Sequence, residues 1–166
     1  MSNNIIIRNA TINDIQHILN IINYYINKST NDYRYYEIHI NELINWHNNS
    51  ITNNQPIIVA TINNFIVGYA TYNQFRNRIG FKYSVEHSIY CHHHYTNKGI
   101  GKLLMNQLFI SAKNNNIHTM IACIDSNNEK SIQFHYQVGF THIGQLKEIG
   151  FKFNQFLNMN LMQIIL

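Results

Sequence analysis

The chain has 166 residues, a length typical of one domain built around a single hydrophobic core. Only 12% of its residues are charged and the net charge is +4, with basic residues scattered along the chain, which argues against a nucleic-acid-binding protein. The sequence has no amino-terminal targeting segment and no apolar run long enough to span a membrane, so we expect one cytoplasmic domain over residues 1–166.

The first half of the chain predicts a strand, two helices and a β-hairpin. Thr11 and Asp14 are spaced as a capping box, and the apolar residues that follow recur on one helical face up to Ile26. Two β-branched runs flank the pair Asn63-Asn64, which is typical of a hairpin turn. The predicted elements are strand Ile5–Arg8, helix Ile15–Ile26, surface loop Asn27–Tyr36, helix Glu42–His47, and strands Ile57–Ala60 and Phe65–Tyr72.

The second half predicts a helix after each of two strands, followed by two final strands. The run from Tyr83 to Cys91 is β-branched and aromatic, whereas the apolar residues after Gly101 recur at helical spacing. The predicted elements are loop Asn73–Lys82, strand Tyr83–Cys91, a helix from Gly99, strand Thr119–Ile124, a helix from Ser126 to Val138, and strands Phe140–Leu146 and Lys152–Gln163.

The turn between the Tyr83–Cys91 strand and the next helix reads Lys98-Gly99-Ile100-Gly101-Lys102. The first amide groups of a helix lack partners in the chain, the helix dipole is positive there, and glycine lets the main chain approach a phosphate closely. The pattern therefore predicts an anion site, although glycine pairs also occur in simple tight turns.

Two stretches around this turn resemble a known enzyme superfamily. Thr96 to Gly101 is similar to the Gln/Arg-x-x-Gly-x-Gly/Ala pyrophosphate loop of the Gcn5-related N-acetyltransferases (GNAT), with Thr96 in place of Gln or Arg. Val85-Glu86-His87-Ser88-Ile89-Tyr90 resembles the central strand of the phosphinothricin and methionine sulfone/sulfoximine N-acetyltransferase branch. The resemblance covers Ile7 to Gln163 and implies an α/β, single-domain GNAT fold with a mixed, mostly antiparallel central sheet and helices on both faces.

The resemblance also implies a reaction. The acetyl group of the co-substrate acetyl-CoA would pass directly to the amino group of a small amino acid or analogue in a ternary complex, and enzymes of this branch are commonly homodimers. Glu86 corresponds to the proposed general base, and partial burial would raise the pKa of such a carboxylate toward neutrality. Without the resemblance, a lone glutamate in a strand more often faces solvent.

The residues expected to bind acetyl-CoA lie on the central strand, the turn and a later helix. In the superfamily, main-chain groups of the strand pair with the pantetheine arm and one N–H polarises the thioester carbonyl; the alternative is an unbroken ladder. On the later helix, His135 stands where the branch has a proposed acid for the departing thiolate, whereas a helix histidine near an aromatic is otherwise usually just packed. The cofactor-binding set is Ile89, Tyr90, Cys91, Asn97, Lys98, Gly99, Ile100, Gly101, Lys102, Asn128 and Ser131.

The loop before the central strand supplies candidate substrate-binding residues. The branch carries an aromatic–Arg pair in this loop, matched by Phe75-Arg76, and a substrate carboxylate needs such a bidentate donor. A loop arginine is otherwise a solvated surface charge, which is our interpretation of Arg78. The substrate-binding set is Phe75, Arg76, Asn77, Lys82, Glu86, His87 and Ser88.

Three adjacent histidines and two cysteines have other interpretations. His92-His93-His94 cannot all face one ion from a loop, so we predict no metal site. Cys91 and Cys123 lie in apolar runs and are expected to be buried free thiols, with a disulfide or a nucleophile as the alternatives. For function, the alternatives are a GNAT acetyltransferase for a polyamine, an antibiotic or a protein amino terminus, and a non-catalytic acyl-CoA-binding sensor.

Overall fold

The computed structural model describes residues 4–166, which are organised around one seven-stranded sheet. Its strand order is β1-β2-β3-β4-β5-β7-β6, and among these strands only β4 and β5 pair in parallel. The predicted mixed, mostly antiparallel sheet is therefore confirmed. The strands are β1 (Ile5–Asn9), β2 (Ile57–Ile62), β3 (Phe65–Gln74), β4 (Ser84–Cys91), β5 (Thr119–Asp125), β6 (Thr141–Lys152) and β7 (Gln155–Ile165).

Helices cover both faces of the sheet, as predicted. The fully buried strand β2 shows how: Ile58 and Ala60 belong to the core under α3, whereas Ile57 and Val59 belong to the core under α1 and α2. This division follows from the alternation of side chains along a strand. None of the helices in residues 4–166 is both long and apolar enough to cross a membrane. The helices are α1 (Ile15–Lys28), α2 (Ile40–Thr52), α3 (Ile100–Asn114) and α4 (Glu129–Gln137).

Two predicted boundaries are wrong. Helix α2 continues to Thr52, well past the predicted end at His47. Strand β6 continues through an irregularity after Leu146 to Lys152, which was predicted to begin the last strand. The hairpin turns instead at Phe153 and Asn154, whose φ angles are 51° and 59°. A left-handed turn made without glycine gave no sequence signal.

Candidate active site

The sheet opens between β4 and β5. Their parallel pairing begins at Ser84 and ends where Glu86 lies opposite Ile121. On its other side, β4 stays paired with β3 as far as Cys91. The second half of β4 therefore has an unpaired edge that faces the opening, and the alternative of an unbroken ladder is excluded.

The register of the ladder decides which main-chain groups face this opening. On the β3 side, Ser84 O accepts a hydrogen bond of 2.9 Å from Phe75 N, and His92 N donates one of 2.8 Å to Val67 O. Because bonding alternates residue by residue in an antiparallel ladder, the N–H and C=O groups of Ile89 and Cys91 point to the opening. Those of Tyr90 point to β3, so the structure does not bring the main chain of Tyr90 to the opening.

The turn at the end of β4 leaves space for an anion. Gly99 has a φ of 77°, and a Cβ added to it would meet nothing within 4 Å. The first main-chain hydrogen bond of α3 runs from Leu103 N to Gly99 O over 3.3 Å. The amides of residues 100–102 therefore have no partner within the helix and are available to a ligand on the open side of the turn. A Cβ on Gly101 would lie 3.3 Å from the ring of Phe134, so the helix also approaches α4 closely here. These features suit a pyrophosphate held by main-chain amides.

The side chains of the turn contribute unequally. Lys98 and Lys102 are exposed, and Lys98 Nζ lies 4.7 Å from the centre of the Tyr95 ring. Asn97 is exposed and adopts a left-handed conformation with a φ of 60°. Ile100 is buried in the core beneath α3, so only its main chain can contact a ligand.

Cys123 lies beside Glu86 and within electrostatic range of Arg76. Burial is the largest cause that raises the pKa of the Cys123 thiol to about 12, and the Glu86 carboxylate beside it is the next. The Arg76 guanidinium lowers this pKa and so opposes the shift. The structure therefore places the predicted base beside a neutral thiol that no sequence pattern indicated, with the predicted carboxylate-binding arginine within electrostatic range of that thiol. Ser88, two residues after Glu86, lies on the same face of β4 and is half-buried.

The loop that carries Arg76 is held by aromatic and amide contacts. Its Phe75 and Phe81 rings pack edge to face with centroids 6.0 Å apart, and the Arg76 Cζ lies 5.0 Å from the centre of the Phe75 ring. Gln74 Nε2 donates to Arg76 O over 2.8 Å. The other predicted substrate-binding residues of this loop are exposed: Asn77, and Lys82 with its Nζ 4.7 Å from the Tyr83 ring centre.

Helix α4 begins at the carboxyl end of β5, on the far side of the opening. Asn128 caps it, because its Oδ1 accepts a 3.1 Å hydrogen bond from Ser131 N. The Asn128 Nδ2 donates to Asn31 Oδ1 over 3.0 Å and so joins this helix to the chain after α1. Since β4 and β5 are parallel, the amino termini of α3 and α4 lie at the same edge of the sheet.

This arrangement can be compared with known proteins. A sequence model of the Acetyltransferase (GNAT) family matches residues 14–140. The chain belongs to this family. An L-methionine sulfoximine/L-methionine sulfone acetyltransferase of Salmonella typhimurium is 38% identical over 66% of this chain, but that alignment spans 64% of the relative, less than two thirds of its length.

Two further GNAT proteins align over most of their length. The L-methionine sulfoximine/L-methionine sulfone acetyltransferase of Pseudomonas aeruginosa is 32% identical over 95% of this chain and 92% of the relative. A phosphinothricin acetyltransferase from Sinorhizobium meliloti, solved in complex with acetyl-CoA, superposes with a TM-score of 0.94 and 29% identity over 98% of this chain and 88% of that chain. The resemblance to this branch of the GNAT family is confirmed.

Within this GNAT fold, His87 lies apart from Glu86. Side-chain alternation puts His87 on the opposite face of β4, where it is 7% exposed and its Nε2 lies 3.0 Å from the Nε2 of His135. The structure therefore does not bring His87 to the other predicted substrate-binding residues. His135 is also buried, and its Nδ1 lies 2.6 Å from Ser131 O.

These contacts define where the protons of the two imidazoles lie. The His135 Nδ1–H donates to Ser131 O, so the His135 Nε2 accepts from the Nε2–H of His87. Burial lowers the pKa of both rings; the neighbouring His135 adds to the effect on His87, and the Ser131 hydrogen bond partly opposes it on His135. Both rings are therefore neutral, and His135 Nε2 carries no proton to give while this pairing lasts.

Two buried polar residues that link α1 to the sheet, Asp32 and Lys152, are not among the predicted site residues. The sequence signals were the position of Asp32 in a segment that lines the amino-acid pocket in the family, and the run Gly150-Phe151-Lys152-Phe153, which resembles the start of the family's last strand. For metals, no three His, Cys, Asp or Glu side chains within residues 4–166 are grouped so that they could hold one ion.

Proposed function

We propose that this protein transfers the acetyl group of acetyl-CoA to the α-amino group of a small amino acid or analogue of the methionine sulfoximine, methionine sulfone or phosphinothricin type. The observation that carries the proposal is the position of Glu86, at the point where β4 leaves β5. The same strand leads to the open glycine turn at the amino terminus of α3. A carboxylate and an anion site are thus joined by one unpaired strand edge.

Each part of this edge has a proposed role. Bound acetyl-CoA supplies an activated acetyl thioester. The amides of the Gly99 turn and the flanking lysines hold the diphosphate. The N–H and C=O of Ile89 and the N–H of Cys91, whose carbonyl accepts from the Tyr25 hydroxyl over 2.7 Å, pair with the pantetheine amides as an added strand would. One of the N–H groups that face the opening polarises the thioester carbonyl and stabilises the oxyanion.

Glu86 acts as general base in this proposal. Its carboxylate takes a proton from the substrate ammonium, directly or through water, so that the free amine attacks the thioester. The C–S bond breaks as the amide bond forms, the amine nitrogen loses its second proton, and the CoA thiolate leaves and takes up a proton from solvent. Cys123, which stays a neutral thiol beside Glu86, does not compete as a nucleophile because its pKa is raised to about 12 by burial and by the Glu86 carboxylate. An acyl-cysteine intermediate is therefore not part of the mechanism, and transfer is direct.

Arg76 is proposed to bind the α-carboxylate of the acceptor. Its side chain is exposed on the loop, and its charge lowers the pKa of the Cys123 thiol, which the neighbouring Glu86 raises. A guanidinium can bind a carboxylate through two parallel hydrogen bonds, which would fix the α-amine at a set distance. This favours amino acids over polyamines as acceptors.

An acceptor panel tests the proposal. The purified protein and acetyl-CoA are incubated with methionine sulfoximine, methionine sulfone, phosphinothricin, ordinary amino acids, spermidine and a peptide, and release of the CoA thiol is measured. The amino-acid analogues should give the highest kcat/KM. The proposal fails if spermidine or the peptide exceeds every amino acid, or if no acceptor releases the thiol.

We also propose a homodimer in the cytoplasm. Strand β6 is an edge of the sheet, and the β6–β7 hairpin exposes apolar side chains such as Phe156, which is 66% exposed. An apolar edge strand that pairs with its copy about a two-fold axis removes both the open edge and the exposed surface. Light scattering should give twice the chain mass, and Phe156→Glu should give the monomer.

The proposed location of the protein is the cytoplasm. Fractionation of cells tests this location.

A further inference from the structure

Lys152 is a buried ammonium whose three hydrogen bonds all go to main-chain carbonyls. It is 2% exposed at the end of β6, and its Nζ donates to Ile26 O over 2.7 Å, to Ser29 O over 2.9 Å and to Asp32 O. These carbonyls belong to the last turn of α1 and the segment after it, residues 29–36, called here the α1–α2 loop. All three N–H groups of the ammonium are used, and its charge lies at the negative end of the α1 dipole.

Gly150 fits the same loop from two residues earlier on the strand. A Cβ at this position would lie 2.5 Å from Cε2 and 2.7 Å from Cδ2 of Tyr33, so the tyrosine ring lies directly on the glycine. The Tyr33 hydroxyl donates to Asn158 O over 3.4 Å, and the Tyr35 hydroxyl donates to Phe151 O. The β6–β7 hairpin thus holds the α1–α2 loop through an ammonium, a ring packed on glycine and two hydroxyls.

The held loop lies against the same face of β4 as Glu86. Asp32 is buried and binds the Arg34 guanidinium, with 2.9 Å between Nε and Oδ1. Its Oδ2 lies 3.4 Å from the hydroxyl of Tyr90, which is four residues after Glu86 and so on the same face. Burial raises the pKa of Tyr33 to about 12, and the nearby Asp125 and Cys123 of β5 add to this rise.

We propose that Lys152 is a positioning residue, which fixes the α1–α2 loop as a wall of the acceptor side of the cleft. The inference rests on the proposed function, since an acceptor amino acid is what this wall would contact. The effect is indirect, because the Lys152 ammonium contacts main-chain carbonyls of the last turn of α1 and of the loop, and the loop contacts the face of β4 that carries Glu86. Loss of the ammonium should therefore impair acceptor binding and leave the Gly99 turn unchanged.

The test compares Lys152→Met with Lys147→Met, the same substitution at an exposed lysine of the same strand. For Lys152→Met, the KM for methionine sulfoximine should rise by up to about ten- to a hundredfold, because losing hydrogen bonds to a charged group lowers the fraction of molecules that hold the loop in place by up to that factor. The kcat at saturation and the Kd for acetyl-CoA should change by no more than about threefold, because uniform acceptor binding is what is lost. Lys147→Met should match the wild type in all three.

Hydrogen exchange provides a readout that needs no substrate. In Lys152→Met, amides of residues 29–36 should exchange faster, while those of α3 keep their protection. Gly150→Ala, which displaces Tyr33 but keeps the ammonium, should also speed exchange in residues 29–36 and raise the KM. If Lys152→Met does not fold, Lys152→Gln, which keeps hydrogen-bond donors but removes the charge, takes its place and should give the same local exchange and a rise in KM.

The outcomes separate this inference from the proposed function. If the wild type acetylates no amino acid, the proposed function fails, and faster exchange confined to residues 29–36 still supports the anchoring role. If the wild type is active, an unchanged KM in a folded variant overturns the inference. An equal loss of acetyl-CoA binding and acceptor binding, with faster exchange throughout, also overturns it, since it indicates general destabilisation.

Discussion

Substitution of Gly99 by valine should abolish acetyl-CoA binding without unfolding the protein. Gly99 has a φ of 77°, and a Cβ added there would meet no protein atom within 4 Å. A new Cβ therefore lies in open space at the turn to which the diphosphate is assigned, and it touches no protein atom. Any loss of ligand binding beyond the loss of stability reports directly on that space.

The two effects have different sizes. A side chain in the left-handed region costs about 1–2 kcal/mol, and for a chain of this length each kcal/mol lowers Tm by about 2–4 °C. Gly99→Val should therefore melt roughly 2–8 °C below the wild type. Acetyl-CoA at a hundred times its Kd stabilises the wild type by about 2.7 kcal/mol, which raises Tm by about 5–11 °C.

Thermal melts with and without acetyl-CoA measure both effects. The wild type should show the rise, and Gly99→Val should show a lower Tm that acetyl-CoA does not change. Gly144→Val is the matched control, since a Cβ there also meets nothing within 4 Å but the residue lies on β6, and it should keep the full rise. If acetyl-CoA raised the Tm of Gly99→Val by as much as that of the wild type, the assignment of the turn as the diphosphate site would be refuted.

Three further predictions concern the acceptor side and the core. Glu86→Gln should keep the acetyl-CoA-induced rise in Tm but lower kcat by about two to four orders of magnitude at neutral pH, with a smaller loss at high pH, where the amine is already free; an unchanged rate would assign the base elsewhere. Arg76→Ala should lower kcat/KM for methionine sulfoximine about ten- to a hundredfold yet leave its decarboxylated analogue unaffected, and equal losses on both would exclude a carboxylate contact. Because burial lowers the pKa of His87 and His135, the unfolded chain binds more protons than the fold below its ordinary histidine pKa. Stability from this pair should therefore be complete above about pH 6.5 and decline as the pH falls, and His87→Leu should flatten the decline of Tm between about pH 6.5 and pH 5; identical slopes would contradict the neutral pair.

The sequence was sufficient for the order of elements because the signals are local. The capping pair Thr11–Asp14, the Asn63-Asn64 turn and the glycine turn before α3 each depend on a few neighbouring residues, and each is present in the structure. The Asp14 carboxylate accepts from Thr11 N over 2.7 Å, as a capping box requires. The family resemblance added the function that these local signals could not supply.

Contacts between distant segments were not predictable in the same way. Which main-chain groups of β4 face the opening depends on its register against β3, and this excluded Tyr90 from the edge. The proposed role of Lys152 depends on carbonyls more than a hundred residues away along the chain, so its match to a family strand pattern predicted the strand but not these contacts. His135 matched a family position, but only its contact with His87 showed where its protons lie.

The opposite orientations of Glu86 and His87 have a consequence for how this gene can change in length. Insertion or deletion of one residue in β4 before Glu86 would exchange the two faces, so that a carboxylate would enter the core and an imidazole the cleft. Such a change would damage folding and chemistry in one step. In the loop between β3 and β4, the exposed residues 78–80 follow Arg76 and have no role in the proposed site, so the loop can lengthen or shorten there with far less penalty. Variation among descendants of this gene should therefore accumulate as length changes in that loop and as substitutions only in β4.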